Sequence, residues 1–213
     1  MFTGVLMSDK LEERITIAGP AGPLELLVTR VDDPVALAVI CHPHPLHGGT
    51  MANKVVHTLM RAARDLGANV VRFNFRGVGR SGGEHDEGRG EIDDCLAIID
   101  WARLDLPAPA LWVMGFSFGG YIAAAAANRL DSPPQKLVLV APSVERLPFP
   151  ELLPLKTPST VMMGEADDVV ASASVFGLLE GRNDVEVVRF ADTGHFFHGR
   201  LPELKGAVEQ ALT

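Results

Sequence analysis

The sequence predicts an α/β fold: a mostly parallel central sheet with helices on both faces. Three observations predict it. From residue 35 onward, strand-length apolar runs alternate with helical patterns, which is the order of successive βαβ units. Several of those runs are continuously apolar, as strands covered on both faces must be. One run, Leu111 to Met114, leads through Gly115-Phe116-Ser117-Phe118-Gly119 into an Ala-rich helical segment. With 213 residues, 47% of them hydrophobic, the chain suits a single domain over 1–213 with a sizeable core.

The elements follow in order. Residues 1–10 show no periodicity, and terminal disorder is the expectation there. Glu13 to Ile17 alternates polar and apolar residues, Gly19 to Pro23 is a turn, and Leu24 to Arg30 is a second strand. Together they predict an N-terminal antiparallel hairpin. Val35 to Cys41 is a buried strand. Asn53 to Leu66 puts Val56, Leu59, Met60 and Ala63 on one helical face, and Gly67 ends it. Asn69 to Phe75 is a strand, and Glu91 to Leu104 a helix with Ile92, Cys95, Leu96 and Ile99 at core spacing. After the Gly-x-Ser-x-Gly come a helix (Tyr121 to Leu130) and strands at Lys136–Ala141 and Thr160–Met163. A helix over Ala171–Leu179, a strand over Val185–Phe190 and a closing helix over Pro202–Leu212 complete the pattern.

Strand, Gly-x-Ser-x-Gly and helix in succession form a nucleophile elbow, a sharp turn that exposes the hydroxyl of Ser117. Gly115 and Gly119 flank it because a Cβ at either place would crowd the strand and helix. A serine hydroxyl needs a base, usually His, and a carboxylate to orient that base. The chain supplies both downstream in the order acid, then histidine. Gly164-Glu165-Ala166-Asp167-Asp168 follows one strand, and Ala191-Asp192-Thr193-Gly194-His195 follows the next. Ser117, Asp167 and His195 therefore each stand just past a strand end, the ligand edge of an open α/β sheet. Asp167 is the preferred acid. Asp168 exchanges with it on a register error of one, Glu165 is nearer the strand, and Asp192 is too near His195. Taken singly, an Asp-Asp pair reads more readily as a turn or helix cap, and a loop His as a residue without a role. Three strand ends in the right order shift the balance to catalysis.

These residues, with Cys41 to Val56, Arg72 to Gly82, Gly164 to Val170 and Gly194 to Phe197, resemble the α/β-hydrolases. The resemblance is strongest to the small cap-less bacterial serine esterases of the dienelactone-hydrolase-like group. It covers most of the chain and implies the α/β-hydrolase fold. Dienelactone hydrolases use Cys as nucleophile, whereas Ser117 stands here. Larger relatives insert a helical lid. Here only residues 142–158 separate two strands, with Pro at 142, 148, 150, 154 and 158, too short and proline-rich for a cap. An open site is therefore expected.

An acyl-transfer site also needs N–H donors for the oxyanion. The backbone N–H of Phe118, next after the nucleophile, is one. The loop after the third strand supplies the other. Pro43 and Pro45 have no N–H. Aligning His42 with the usual post-strand His selects His44, and aligning Gly48-Gly49 with the usual small pair selects Leu46. His42, His44 and His47 have a spacing reminiscent of metal ligands, but Leu46 stands where metallo-β-lactamase-like hydrolases carry Asp. Loop packing and shaping of the acyl pocket explain them better, and no metal is expected. The glycine-rich stretch Gly77 to Gly82 lacks the Lys-Ser/Thr of a phosphate loop and reads as a flexible loop beside the site. Arg76 and Arg80 are expected to pair with Glu84, Asp86 or Glu87, with binding of an anionic substrate group as the alternative. Phe116, Phe118, Phe196 and Phe197 flank the catalytic positions and suit either the substrate pocket or packing under the elbow.

A net charge of −8 disfavours nucleic-acid partners. Cys41 and Cys95 are expected to be reduced core residues. No apolar run approaches a membrane span, and the opening residues lack the basic segment of a signal peptide. The expectation is a cytoplasmic serine carboxylesterase acting on a small-molecule ester without cofactor. Homodimers are common among such enzymes, although no segment specifies an interface. A thioesterase or peptidase with the same triad is the alternative, and a non-catalytic binding module a further one.

Overall fold

The computed structural model describes residues 12–213; the expectation of disorder for residues 1–10 lies outside them. The order of elements matches the predicted alternation. The hairpin β1 (Glu13–Gly19) and β2 (Gly22–Thr29) comes first, then β3 (Ala36–Cys41), α1 (Lys54–Asp65) and β4 (Ala68–Phe73). They are followed by α2 (Arg89–Asp105), β5 (Leu111–Phe116), α3 (Phe118–Arg129) and β6 (Lys136–Val140). The chain closes with β7 (Ser159–Gly164), α4 (Ser172–Leu179), β8 (Val185–Phe190) and α5 (Leu201–Leu212). Residues 142–158 hold one short 3-10 turn, Phe149–Leu152, and no cap.

The strands form one 8-stranded sheet in the order β1-β2-β4-β3-β5-β6-β7-β8. β1 and β2 pair antiparallel, β2 joins β4 antiparallel, and every later pairing is parallel. From β3 the chain steps to β4 on one side, then back across to β5 and outward to β8. Right-handed crossovers therefore put α1 on one face and α2 and α3 on the other. α5 returns to pack beside α1, and α2 packs beside α3. β3 and β5 are neighbours whose following loops leave toward opposite faces. That is the switch point where an open sheet leaves a crevice for a ligand.

Burial explains why these runs are strands. Every residue of β3, β4, β5 and β7 is buried, as double coverage demands. β1 at the sheet edge alternates exposed and half-buried residues instead. Side chains cap the starts of α1 and α2. Asn53 Oδ1 accepts the N–H groups of Val55 and Val56 at 2.8 and 3.4 Å. The Glu91 carboxylate accepts those of Asp86 and Gly88, each at 2.9 Å. α2 begins at Arg89, two residues before the predicted Glu91, because Gly88 takes φ +94° and turns the chain into the helix.

The glycine-rich loop departs from expectation. It is tied to the hairpin rather than loose. Buried Glu25 accepts the Arg80 N–H at 2.9 Å and Asn74 Nδ2 at 2.8 Å. Ser81 Oγ donates to Asn74 O at 2.7 Å and accepts the Glu25 N–H at 3.0 Å. Arg76 is ion-paired, but with none of the predicted acids: its Nε and Nη2 clasp Asp94 at 3.0 and 2.8 Å. The partner comes from α2, three residues after its capping Glu91, so the pair fastens the loop to that helix. Cys41 and Cys95 are free and buried, as expected, with Sγ atoms 3.5 Å apart. Burial and the neighbouring sulfur push the Cys41 thiol well above its usual range.

Ile40 is fully buried in β3, paired on both sides by β4 and β5. Ile40→Ala is expected to lose about 2–5 kcal/mol of stability, read from the urea midpoint at unchanged slope. A loss below about 1 kcal/mol would mean that this strand is not the centre of the core.

Candidate active site

The site is built at the C-terminal ends of β3, β5, β7 and β8. Between β5 and α3 the chain turns at Ser117, which takes φ +56° and ψ −118°. A non-glycine residue pays about 1–3 kcal/mol for such a conformation. The surroundings enforce it. Ser117 N–H donates to Val140 O at 2.9 Å, and Ser117 O accepts the N–H of Gly120 at 2.9 Å and of Ser143 at 3.2 Å. The flanking glycines permit it. A Cβ on Gly115 would come within 2.0 Å of Gly119 O, and one on Gly119 within 2.4 Å of both Cys41 O and His42 O.

The structure brings Ser117, Asp167 and His195 together. His195 Nε2 lies 3.1 Å from Ser117 Oγ, and His195 Nδ1 lies 2.7 Å from Asp167 Oδ2. A carboxylate only accepts, so Nδ1 carries the proton and Nε2 is left to accept from the serine hydroxyl. Asp167 Oδ1 is held by the N–H groups of Val169 and Val170 at 2.9 and 2.8 Å. The other acids considered stay outside this chain of contacts. The side chains of His195 and Asp167 are 2% and 0% exposed, which keeps water from competing for the pair. Phe116 packs on the His195 ring at 4.9 Å and Phe196 stands edge-on to it at 5.1 Å.

Of the two alternatives for the aromatic residues, each holds for two of them. Phe118 and Phe196 line the site cavity, whereas Phe116 and Phe197 are fully buried, Phe197 against Phe190. The cavity holds about 670 Å³ and contains Ser117, Phe118, His44 and His195 in its wall. It is wide enough for a small organic substrate.

Phe118 opens α3, and its N–H, like that of His44, carries no hydrogen bond among the described residues. Both residues line the cavity, and the N-terminal end of α3 adds a favourable dipole for an anion. Leu46, the alternative donor from the same loop, lies outside the cavity wall. Its N–H donates to His44 Nδ1 at 3.2 Å and its side chain is 71% exposed. Among the described residues no three His, Cys, Asp or Glu side chains are grouped to hold a metal ion. None of their helices is long and apolar enough to cross a membrane.

His42 has a different task. Fully buried, it accepts the Phe75 N–H on Nε2 at 3.1 Å, and its Nδ1 lies 2.6 Å from Pro43 O. One neutral tautomer satisfies both contacts and ties the loop after β3 to the end of β4. Burial pushes its pKa down to about 4.

A model of the alpha/beta hydrolase fold matches residues 46–157. The chain belongs to that family. It is similar to an alpha-beta serine hydrolase homologue from Coxiella burnetii, at 42% identity and TM-score 0.89, over 94% of this chain and 97% of that one. XC6422 from Xanthomonas campestris, described as an a/b serine hydrolase without lid, is 40% identical with TM-score 0.87, over 94% of this chain and 93% of that one. A dienelactone hydrolase from Anabaena variabilis shares the fold at 16% identity and TM-score 0.81, over 95% and 96% of the two chains. Within the family this chain has the cap-less, serine-bearing form, and the likeness supports a hydrolase.

Sequence reasoning passed over Ser143, Glu145 and Arg146, which line the cavity from the loop after β6. The signal was available: β6 is a further parallel strand ending at the same edge. His85, Glu87 and Asn53 also line it, reached by loops whose paths no local pattern reveals.

His42 carries a pH prediction. The unfolded state takes up its proton near the ordinary value of 6.5, while the folded state resists until about 4. Stability is therefore whole above the unfolded value and falls as pH drops through this window. Between about pH 7.5 and about pH 4.5 the wild type is expected to lose roughly 2–3 kcal/mol more than His42→Gln, measured by urea unfolding. Parallel pH profiles for the two proteins would contradict this assignment.

Proposed function

We propose that this hydrolase is a serine carboxylesterase that cleaves small-molecule esters through an acyl-enzyme. The observation that carries the reading is the continuous contact from Asp167 through His195 to Ser117, with Ser117 Oγ in the wall of an open cavity. His195 Nε2 takes the hydroxyl proton as Ser117 Oγ attacks the ester carbonyl carbon. The carbonyl oxygen gains the charge, and the N–H groups of Phe118 and His44 receive it. His195 then returns its proton to the leaving alcohol. A water molecule repeats the sequence on the acyl-enzyme and releases the acid. Asp167 holds the imidazole in the Nδ1–H tautomer and stabilises its charged form. These steps call for no cofactor.

The cap-less cavity supports soluble, accessible esters rather than long chains held under a lid. Thioester and amide bonds present the same carbonyl to Ser117, so the pocket and not the triad sets the choice among them. A cytoplasmic setting accords with the reduced cysteine pair.

Turnover of a short-chain p-nitrophenyl ester series tests the reading, and Ser117→Ala is expected to fall to background while keeping its circular dichroism spectrum. An active Ser117→Ala, or a folded wild type inactive on every ester, would remove the esterase reading. Asp167→Asn is expected to lower kcat by about 10³–10⁴ with KM little changed, since the wrong tautomer would face the serine. A loss under about tenfold would assign the orienting role elsewhere.

A further inference from the structure

The cavity has two unlike walls. Beside His195 it is apolar, formed by Phe196 and by Val169 and Val170 on the loop that carries Asp167. The remaining wall brings His44, His47, His85 and Arg146. The His44 ring is 4.7 Å from His47, 5.0 Å from His85 and 4.9 Å from Phe118, so this cluster sits directly beside the oxyanion donors.

Its polar atoms are mostly donors. His44 Nδ1 accepts the Leu46 N–H, so a neutral His44 ring carries its proton on Nε2 and donates from there. Behind His85 lies Glu91, fully buried, with Oε1 2.7 Å from Nδ1. The separation is that of an ion pair, although its angle is too poor for a hydrogen bond. With Nδ1 against Glu91, Nε2 is the ring nitrogen left for a ligand. Arg146 is itself exposed, lines the cavity, and has no carboxylate within ion-pairing distance among the described residues, whereas Arg89, Arg129 and Arg200 each pair with one.

Two acids, Glu87 and Glu145, also reach the cavity. Each has a partner of its own: Glu145 Oε1 accepts Ser174 Oγ at 2.5 Å, and Glu87 Oε2 lies 3.7 Å from Arg89. An unpaired guanidinium beside imidazole donors is the chemistry that recognises a carboxylate.

The two walls have different duties in the ester cleavage proposed above, on which this step rests. The leaving alcohol must lie beside His195, which protonates it. The acyl chain therefore runs toward the other wall. We infer that the acyl group of the substrate ends in a carboxylate held by Arg146 and His85, so that the preferred substrate is a half-ester of a dicarboxylic acid.

Monomethyl glutarate and methyl pentanoate test this, because they differ only in a terminal carboxylate replacing a methyl group. Acid release would be followed by pH-stat titration. Wild type is expected to favour the half-ester in kcat/KM by about tenfold or more. That ratio should fall by about tenfold in Arg146→Gln, by less in Arg146→Lys, and also in His85→Gln. Preference for the neutral ester, or a ratio unmoved by Arg146→Gln and His85→Gln, would overturn the inference. If neither ester is cleaved, the esterase reading fails by itself. Calorimetric titration with glutarate then decides the anion site. Binding to wild type that weakens in Arg146→Gln would support it, and absence of binding would overturn it.

Discussion

The structure depends on one close approach: the start of α3 against the ends of β3 and β5. The Gly119 backbone lies so near Cys41 O and His42 O that a methyl group at its Cα would sit 2.4 Å from both. Gly115 meets Gly119 O across an even smaller gap. This contact does three things at once. It forces Ser117 into positive φ, it directs the N-terminal end of α3 at the cavity, and it sets the loop after β3 beside the nucleophile. Ser117 and the N–H groups of Phe118 and His44 thus share one packing event. A relaxation of the turn would move all of them together.

Such a turn is affordable only on a rigid sheet. Completely buried strands flank it, and the loops that approach it are fastened from behind. His42 ties the β3 loop to Phe75 N–H, Arg76 clasps Asp94 on α2, and Glu25 gathers the glycine-rich loop onto the hairpin. These buried polar contacts add little net stability, since desolvation offsets most of their attraction. Their effect is on geometry: each leaves a polar group unsatisfied if its loop shifts. The N-terminal hairpin, remote from the chemistry, acts through Glu25 on the segment leading to His85.

What was legible in the sequence follows from this division. Strands such as Val35–Cys41 and helices such as Asn53–Leu66 announce themselves by local periodicity and caps, and their boundaries shift little in the structure. Ser117 was legible because the elbow is local, with five adjacent residues expressing the constraint. Asp167 and His195 were legible only through a rule about strand ends. That rule places residues at an edge but does not bring a ring nitrogen to a carboxylate. The choice between His44 and Leu46 was not legible, because it depends on how the Pro45–His47 turn folds back. That turn gives the Leu46 N–H to His44 Nδ1. The Arg76 partner and the pinning of the glycine-rich loop were misread for the same reason. Both depend on contacts between segments far apart in sequence, Arg76 with Asp94 and Arg80 with Glu25.

The lack of a lid changes which parts of the chain must define substrate. In a capped hydrolase an inserted domain can close over the ligand, exclude water and select its shape. Here selection falls on the loops after β3, β4 and β6 and on the rim after β7 and β8. The side next to His195 carries Val169 and Phe196, each 45% exposed, while the facing wall carries imidazoles and a guanidinium. An apolar wall facing a donor-rich one offers polarity along the substrate, rather than enclosure, as the means of selection. In the half-ester proposed above, the alcohol part lies beside His195 and the carboxylate reaches toward His85 and Arg146. Substitutions in the loops after β4 and β6 leave Ser117 and the α3 contact in place, whereas a change in the loop after β3 also moves the His44 N–H, which lies on that loop.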